Sequence, residues 1–177
     1  LRAKGSAKTG ADGVAAYSIP ATLHAAEGAQ RFTLSATVTD ANGQGVASST
    51  TVTVHPATLY VGVHPTQYLA TEGRNATIDL VSVDTAGAIA GGRAIVVKVY
   101  DRRWITVKEQ IPGGGRRYRS EPQDTLVSTL GATTNVDGRA SVTLRPTKPG
   151  TLRIVAEITD PKGRLARSAT SLWVSGG

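Results

Sequence analysis

Cysteine is absent from the 177 residues. That excludes disulfides, thiolate metal sites and a cysteine nucleophile in this stretch. It does not assign a compartment. Methionine is absent too, even at position 1. A chain opening Leu1-Arg2-Ala3-Lys4 is therefore expected to be a piece of a longer protein, and the lack of a visible signal peptide carries no information. Aromatic residues make up only 5%, so any core must rely on Val, Ile, Leu and Ala. No run approaches the ~18 apolar residues of a membrane-spanning helix. No segment carries the 3.6-residue period of an amphipathic helix.

What is present favours strands. Hydrophobic residues reach 40%, enough for a core, and the 20 glycines sit largely where strands would turn. Abundant Thr and Val suit a pleated, half-buried surface. The net charge of +7 is uneven. Arg93, Lys98, Arg102, Arg103, Lys108, Arg116, Arg117 and Arg119 face only Asp101 and Glu109 over that stretch. Within it, Arg102, Arg103, Arg116, Arg117 and Arg119 form a candidate anion-binding patch, open to nucleic acid, anionic glycan or acidic lipid. The plainer reading is a solvated hairpin whose charges keep an edge from pairing, and nucleic acid is not expected as a partner.

An internal repeat sets the architecture. Thr9-Gly10-Ala11-Asp12-Gly13-Val14-Ala15 matches Thr134-Asn135-Val136-Asp137-Gly138-Arg139-Ala140. Both run into alternating stretches, Ala15, Tyr17 and Ile19 in one and Ala140, Val142 and Leu144 in the other, and end at Pro20 and Pro146. The next strands alternate alike, through Phe32, Leu34, Ala36 and Val38 and through Leu152, Ile154, Ala156 and Ile158. Each meets a turn, at Asp40-Ala41-Asn42-Gly43 and Asp160-Pro161-Lys162-Gly163, where Asp bonds the backbone and Gly supplies positive φ. Last strands end at Val52-Thr53-Val54 and Leu172-Trp173-Val174. The offset is 125 at Asp12 and Asp137 but 120 at Asp40 and Asp160. The first copy thus holds a longer loop, at His24-Ala25-Ala26-Glu27-Gly28.

The second copy has an earlier half. Leu59–Val63 and Tyr68–Leu69 read as one strand broken by His64-Pro65. Ala76–Val83 is a second strand, and Ala94–Tyr100 a third that Trp104–Glu109 extends. Ile111-Pro112-Gly113-Gly114-Gly115 is a turn, and Tyr118 and Leu126–Leu130 mark the return limb. That makes about seven strands, the immunoglobulin-like number. The expected fold is all-β: tandem antiparallel immunoglobulin-like sandwiches, the first incomplete. Residues 1–56 form the C-terminal half of one sandwich and 57–177 a complete one. The missing strands of the first are expected upstream, with His55-Pro56-Ala57 as a short junction whose Pro restricts the pivot.

Reactive chemistry is sparse. His24, His55 and His64 flank separate strands, unlike clustered zinc ligands. Asp12, Asp40, Asp84, Asp137 and Asp160 are each followed by Gly within a few residues, which is turn chemistry; calcium needs about six to eight oxygens. There is no Gly-x-Ser-x-Gly elbow, though a Ser–His–Asp set could still converge in space. Gly113-Gly114-Gly115 lacks the Gly-Lys-Ser/Thr ending of a phosphate loop. Trp104 is expected to cover an edge and Trp173 to pack at a domain end, with sugar binding the minority alternative. Asn75-Ala76-Thr77 fits the glycosylation acceptor pattern, which arises often by chance. No cofactor, metal or catalytic residue is indicated.

Several stretches in order carry a family resemblance. Thr53-Val54-His55-Pro56-Ala57 followed by Leu59-Tyr60-Val61-Gly62-Val63 resembles a domain junction of bacterial alpha-2-macroglobulins. So do Asp79-Leu80-Val81-Ser82-Val83-Asp84, Gly87, Gly92 and Val97-Lys98-Val99-Tyr100-Asp101-Arg102-Arg103-Trp104, and the tail from Asp137-Gly138-Arg139-Ala140 to Ser171-Leu172-Trp173-Val174-Ser175-Gly176. The resemblance spans nearly the whole chain, with no single diagnostic motif. It implies macroglobulin-like sandwiches from an exported, broad-spectrum endopeptidase inhibitor that changes shape when a protease cuts its bait segment. Many members link the protease through a Cys–Gln thioester, which this stretch cannot supply, and no bait segment is evident. The resemblance thus implies a non-enzymatic scaffold part. Its partners would be neighbouring domains of the parent chain and, through the whole molecule, target proteases. The competing expectation is a tandem immunoglobulin-like spacer of a bacterial surface adhesin, because fold alone does not separate the two.

Overall fold

The computed structural model describes residues 3–21, 23, 28–110, 112 and 114–177. Among them every regular element is a strand. The described residues fall into two compact units, one drawn from Leu1–Ala26 and Gln30–Val54, the other from Glu27–Ala29 and His55–Gly177. The expected longer loop at residues 24–28 lies largely outside the described residues, as do Ile111 and Gly113 of the expected hairpin turn.

The first unit contains one hairpin. Strand β1, Gln30–Thr39, pairs antiparallel with β2, Gly45–Val54. Cross-strand partners share a face, so Phe32, Leu34, Ala36 and Val38 line up with Val52, Thr50, Ser48 and Val46. This mostly apolar row is open: Val38 is 62% and Val46 75% exposed. The strand expected at Ala15–Ile19 does not form, since residues 14–21 join no ladder. The repeat supplies the reason. In the second unit the equivalent segment is an edge strand with a single ladder partner, and the first unit offers no strand equivalent to that partner. A strand without a ladder leaves its backbone groups to water.

The second unit is a sandwich of two sheets. Its strands are β3 (Leu59–Pro65), β4 (Leu69–Thr71), β5 (Ala76–Asp84), β6 (Ala94–Gln110), β7 (Arg116–Thr133), β8 (Arg139–Leu144), β9 (Gly150–Thr159) and β10 (Leu165–Ser175). One sheet runs β4-β10-β9-β6-β7 and the other β3-β5-β8. The expected broken first strand is two strands in different sheets. The break comes after His64-Pro65, not at it: Pro65 is paired with Ile78 at the end of β3. There β3 is an edge, so the missing proline N–H removes no ladder bond. β4 then pairs parallel with β10. Counted as one interrupted strand, β3 and β4 leave the expected seven.

The core lies between the sheets. Ile95, Val97 and Val99 of β6, Leu152, Ile154, Ala156 and Ile158 of β9, and Leu172 and Val174 of β10 meet Leu59, Val61, Ile78, Leu80, Val142 and Leu144. The alternation seen in the sequence puts these side chains on one face of each strand. Ser82 continues the inward row of β5 as a buried polar residue. Its hydroxyl meets Thr134 Oγ1 at 3.0 Å and donates to the Ala90 carbonyl, so it is satisfied.

The turns share one geometry. At Asp40, Asp84 and Asp160 the carboxylate Oδ1 accepts the amides two and four residues on, at 2.8–2.9 Å. A glycine with positive φ sits fourth, at Gly43, Gly87 and Gly163. In the repeat turn the bonding side chain is Asn135, which caps the amides of Asp137 and Arg139; Asp137 itself does not. In the first copy Gly10 holds that place, and Asp12 caps Val14 instead. Gly138 differs from Gly163 in its surroundings. A Cβ on Gly138 would meet the Ser82 carbonyl at 2.8 Å, whereas one on Gly163 meets nothing within 4 Å. Gly163→Ala should therefore cost about 1–2 kcal/mol, the left-handed backbone penalty alone. Gly138→Ala should cost clearly more, read as a lower denaturation midpoint. Equal losses would show that the contact with Ser82 relaxes freely.

Candidate functional site

The basic hairpin is built by β6 and β7, which pair without interruption from Ala94–Thr133 to Gln110–Arg116 apart from a bulge at Val99/Tyr100. β9 pairs with β6 only over Ile95–Arg102. Beyond that, Arg103–Gln110 and Arg116–Gln123 form a two-stranded ribbon, roughly 25 Å long at the usual rise per residue. No third strand covers it among the described residues.

The five arginines predicted as an anion patch divide within this hairpin. Arg102 sits at the base and is bidentate to Asp124, with Nε to Oδ1 at 2.7 Å and Nη2 to Oδ2 at 2.8 Å. Arg153 adds a contact to the same carboxylate at 3.6 Å. The Arg102 hydrogen bond holds the Asp124 carboxyl below its usual range, against desolvation and with help from the charges of Arg102 and Arg153. Arg103 reaches Asp101 at 3.2 Å. Arg119 pairs with Glu121 and lies 3.5 Å from Glu109. Arg116 and Arg117 are exposed and form no ion pair among the described residues. The structure therefore does not gather all five into one free patch.

Lys108, also exposed and without an ion pair among the described residues, was outside the predicted patch. Register explains its place. Lys108 faces Tyr118, Gln110 faces Arg116, Thr106 faces Ser120 and Trp104 faces Pro122, all on one side of the ribbon. The other side carries Glu109 with Arg117, Val107 with Arg119 and Ile105 with Glu121. Trp104 and Tyr118 are 63% and 64% exposed. Trp173, expected to pack at a domain end, is also 63% exposed. It lies beside Leu69 in the β10–β4 ladder, on the side of β10 away from Leu172 and the core.

Other charged groups hold the fold. Glu157 joins Lys98 and Arg167 across three strands, each at 2.8 Å. Burial pushes its carboxyl up, but the two cations prevail and its pKa is lowered. Asp160 is the most elaborately held carboxylate. Its Oδ2 accepts Thr58 N at 3.0 Å, Thr58 Oγ1 at 2.9 Å and Arg164 Nε at 2.9 Å, while Oδ1 caps the turn. Desolvation raises its pKa, yet the Thr58 and Arg164 hydrogen bonds hold it well below the usual carboxylate range. Thr58 and Asp160 are far apart in sequence, so only the tertiary fold could reveal this pair.

The histidines have local partners. His55 Nδ1 lies 2.7 Å from the Tyr60 hydroxyl, and His64 Nε2 lies 3.4 Å from that of Tyr68. His24 lies outside the described residues. Among the described residues no group of three or more His, Asp or Glu is placed to hold a metal. Asn75 is exposed, between β4 and β5.

Comparison with known proteins adds to this geometry. No family model matches the chain. An alpha-2-macroglobulin homolog from Nostoc sp. is 24% identical over 140 residues, which is 79% of this chain and 7% of that protein. Native E. coli alpha-2-macroglobulin superposes with a TM-score of 0.57 at 17% identity, over 85% of this chain and 10% of that one. Salmonella alpha-2-macroglobulin reacted with methylamine gives 0.55 at 18% identity, with the same coverage. The chain is thus similar to bacterial alpha-2-macroglobulins in sequence over most of its length and in fold. It spans about a tenth or less of the length of these relatives. The expected all-β, macroglobulin-like fold class holds: apart from the parallel β4–β10 pair, the strands form antiparallel sheets.

Proposed function

We propose that this chain is a scaffold segment of an alpha-2-macroglobulin-like endopeptidase inhibitor, itself non-enzymatic and without the thioester. The sequence similarity to the Nostoc alpha-2-macroglobulin homolog over 79% of the chain carries this reading. The absence of cysteine means that any Cys–Gln thioester lies outside these residues. Residues 1–56 are the C-terminal half of one macroglobulin-like sandwich, and 57–177 are a complete one. Support for the half-domain comes from the repeat: the apolar row of the β1–β2 hairpin is open, while its equivalents Leu152, Ile154, Ala156 and Ile158 are buried under a second sheet. The strands that cover the first row belong to the parent chain. The parent is exported, and the segment meets neighbouring domains directly and proteases only through the whole molecule.

The test uses the longer protein that carries this sequence. Mixed with trypsin, it should slow digestion of a large protein substrate, and the 177-residue segment alone should not. Inhibition by the segment alone, or none by the longer protein, would overturn the proposal.

A further inference from the structure

The ribbon's two sides differ in charge. The side bearing Val107 carries Arg117 and Arg119 against Glu109 and Glu121, and Arg119 is paired with both acids. The opposite side carries Lys108 and Arg116 and no acid from the Trp104–Pro122 level to the tip. From the tip inward its levels are Gln110 with Arg116, Lys108 with Tyr118, Thr106 with Ser120, and Trp104 with Pro122. Successive levels on one face lie roughly 7 Å apart. Trp104 and Tyr118 lie on this face, two levels apart and mostly uncovered. The next level inward, Arg102 with Asp124, is closed by its ion pair.

We propose that this face binds a linear, carboxylated polysaccharide lying along the ribbon. Lys108 and Arg116 meet the carboxylates as charge-assisted donors. The Tyr118 and Trp104 rings offer apolar faces to the C–H faces of sugar rings, as amphipathic aromatics do at wet interfaces. Gln110, Thr106 and Ser120 exchange hydrogen bonds with sugar hydroxyls. The aromatic spacing does not suit a nucleic acid. Its successive bases stack on neighbouring aromatic faces, whereas Trp104 and Tyr118 stand roughly 14 Å apart along the ribbon, a separation that sugar rings several units apart can span. A lipid surface fits less well. Its usual reader places basic and apolar groups together at the inserted end, whereas Trp104 lies three levels back from Gln110 and hydroxyls intervene. The assignment is independent of the protease-inhibitor reading, because it rests on ribbon register, ion pairing and the exposure of Trp104 and Tyr118.

The 177-residue protein is titrated calorimetrically with polygalacturonate fragments, their methyl-esterified form, oligothymidylate and phosphatidylglycerol vesicles. Binding to polygalacturonate is expected, and Lys108→Ser with Arg116→Ser should weaken it about tenfold or more, two charged contacts being lost. Trp104→Ala should weaken it too. Arg117→Ser with Arg119→Ser removes the same charge from the other side and should change affinity by less than about twofold, as expected for charges away from the contact. All these residues lie outside the core, so thermal unfolding should stay in place and serves as the folding control. Equal weakening by the two double variants, equal or tighter binding to oligothymidylate or vesicles, or no binding of polygalacturonate would overturn the proposal.

Discussion

Ile154→Ala should destabilise the second unit by about 2–5 kcal/mol, the range for truncating a buried isoleucine. Ile154 is fully buried, sits in the middle of β9, and is paired with Val99 on one side and Thr170 on the other. It faces the opposite sheet, so the loss comprises both its burial and the cavity left behind. Urea unfolding followed by circular dichroism reads this as a lower midpoint at unchanged slope. Leu34 is the equivalent residue of the first copy and is 37% exposed. Leu34→Ala should cost far less within this chain, because no second sheet covers it among the described residues. Similar losses for the two would contradict the contrast drawn between a covered and an open row. In the longer protein, by contrast, the proposed covering strands should make Leu34→Ala costly as well.

Asp160→Asn should give the largest electrostatic effect in the chain. It keeps a side-chain oxygen but removes the charge that Thr58 and Arg164 stabilise. The folded-state pKa lies below the unfolded value. Deprotonation therefore favours the native state, and the contribution is fully present above the unfolded pKa of about 3.9. It is lost as pH falls from there through the lower folded value. The gap between wild-type and Asp160→Asn melting temperatures should thus be wide at pH 7 and narrow steadily below about pH 4. Asp84→Asn is the comparison. Asp84 caps the same kind of turn through Ala86 and Ala88, but Ala88 stands where Asp160 has Arg164. Its effect should be smaller. A gap at Asp160 that stays constant down to pH 2 would show that the charge is not what stabilises the turn.

Particular elements show where sequence reading succeeds. The alternation in Leu152–Ile158 marks a core-facing strand because period two is local. The Asp-x-x-Gly turns are legible for the same reason, since Oδ1 bonds amides only two and four residues away. In the repeat turn Asp137 is the residue shared by both copies, yet the capping position is the first of the turn, which Asn135 holds. Ala15–Ile19 has a strand's pattern and no ladder, because pattern does not supply a partner. Proximity in sequence groups the arginines of the hairpin into one patch because it carries no information about side. Register sends Lys108 and Arg116 to one face and Arg117 and Arg119 to the other.

The all-β class, the turns and the inward rows of aliphatic residues are legible in the amino-acid sequence because each depends on neighbours within about five positions, and the repeat is legible because its two copies keep like residues in like order. Three features arise only in the folded chain: the first strand of the second unit divides between two sheets, Thr58 anchors Asp160, and the ribbon keeps one cationic face without acids. These depend on which distant strands lie side by side and in what register, and a shift of one residue would exchange every face.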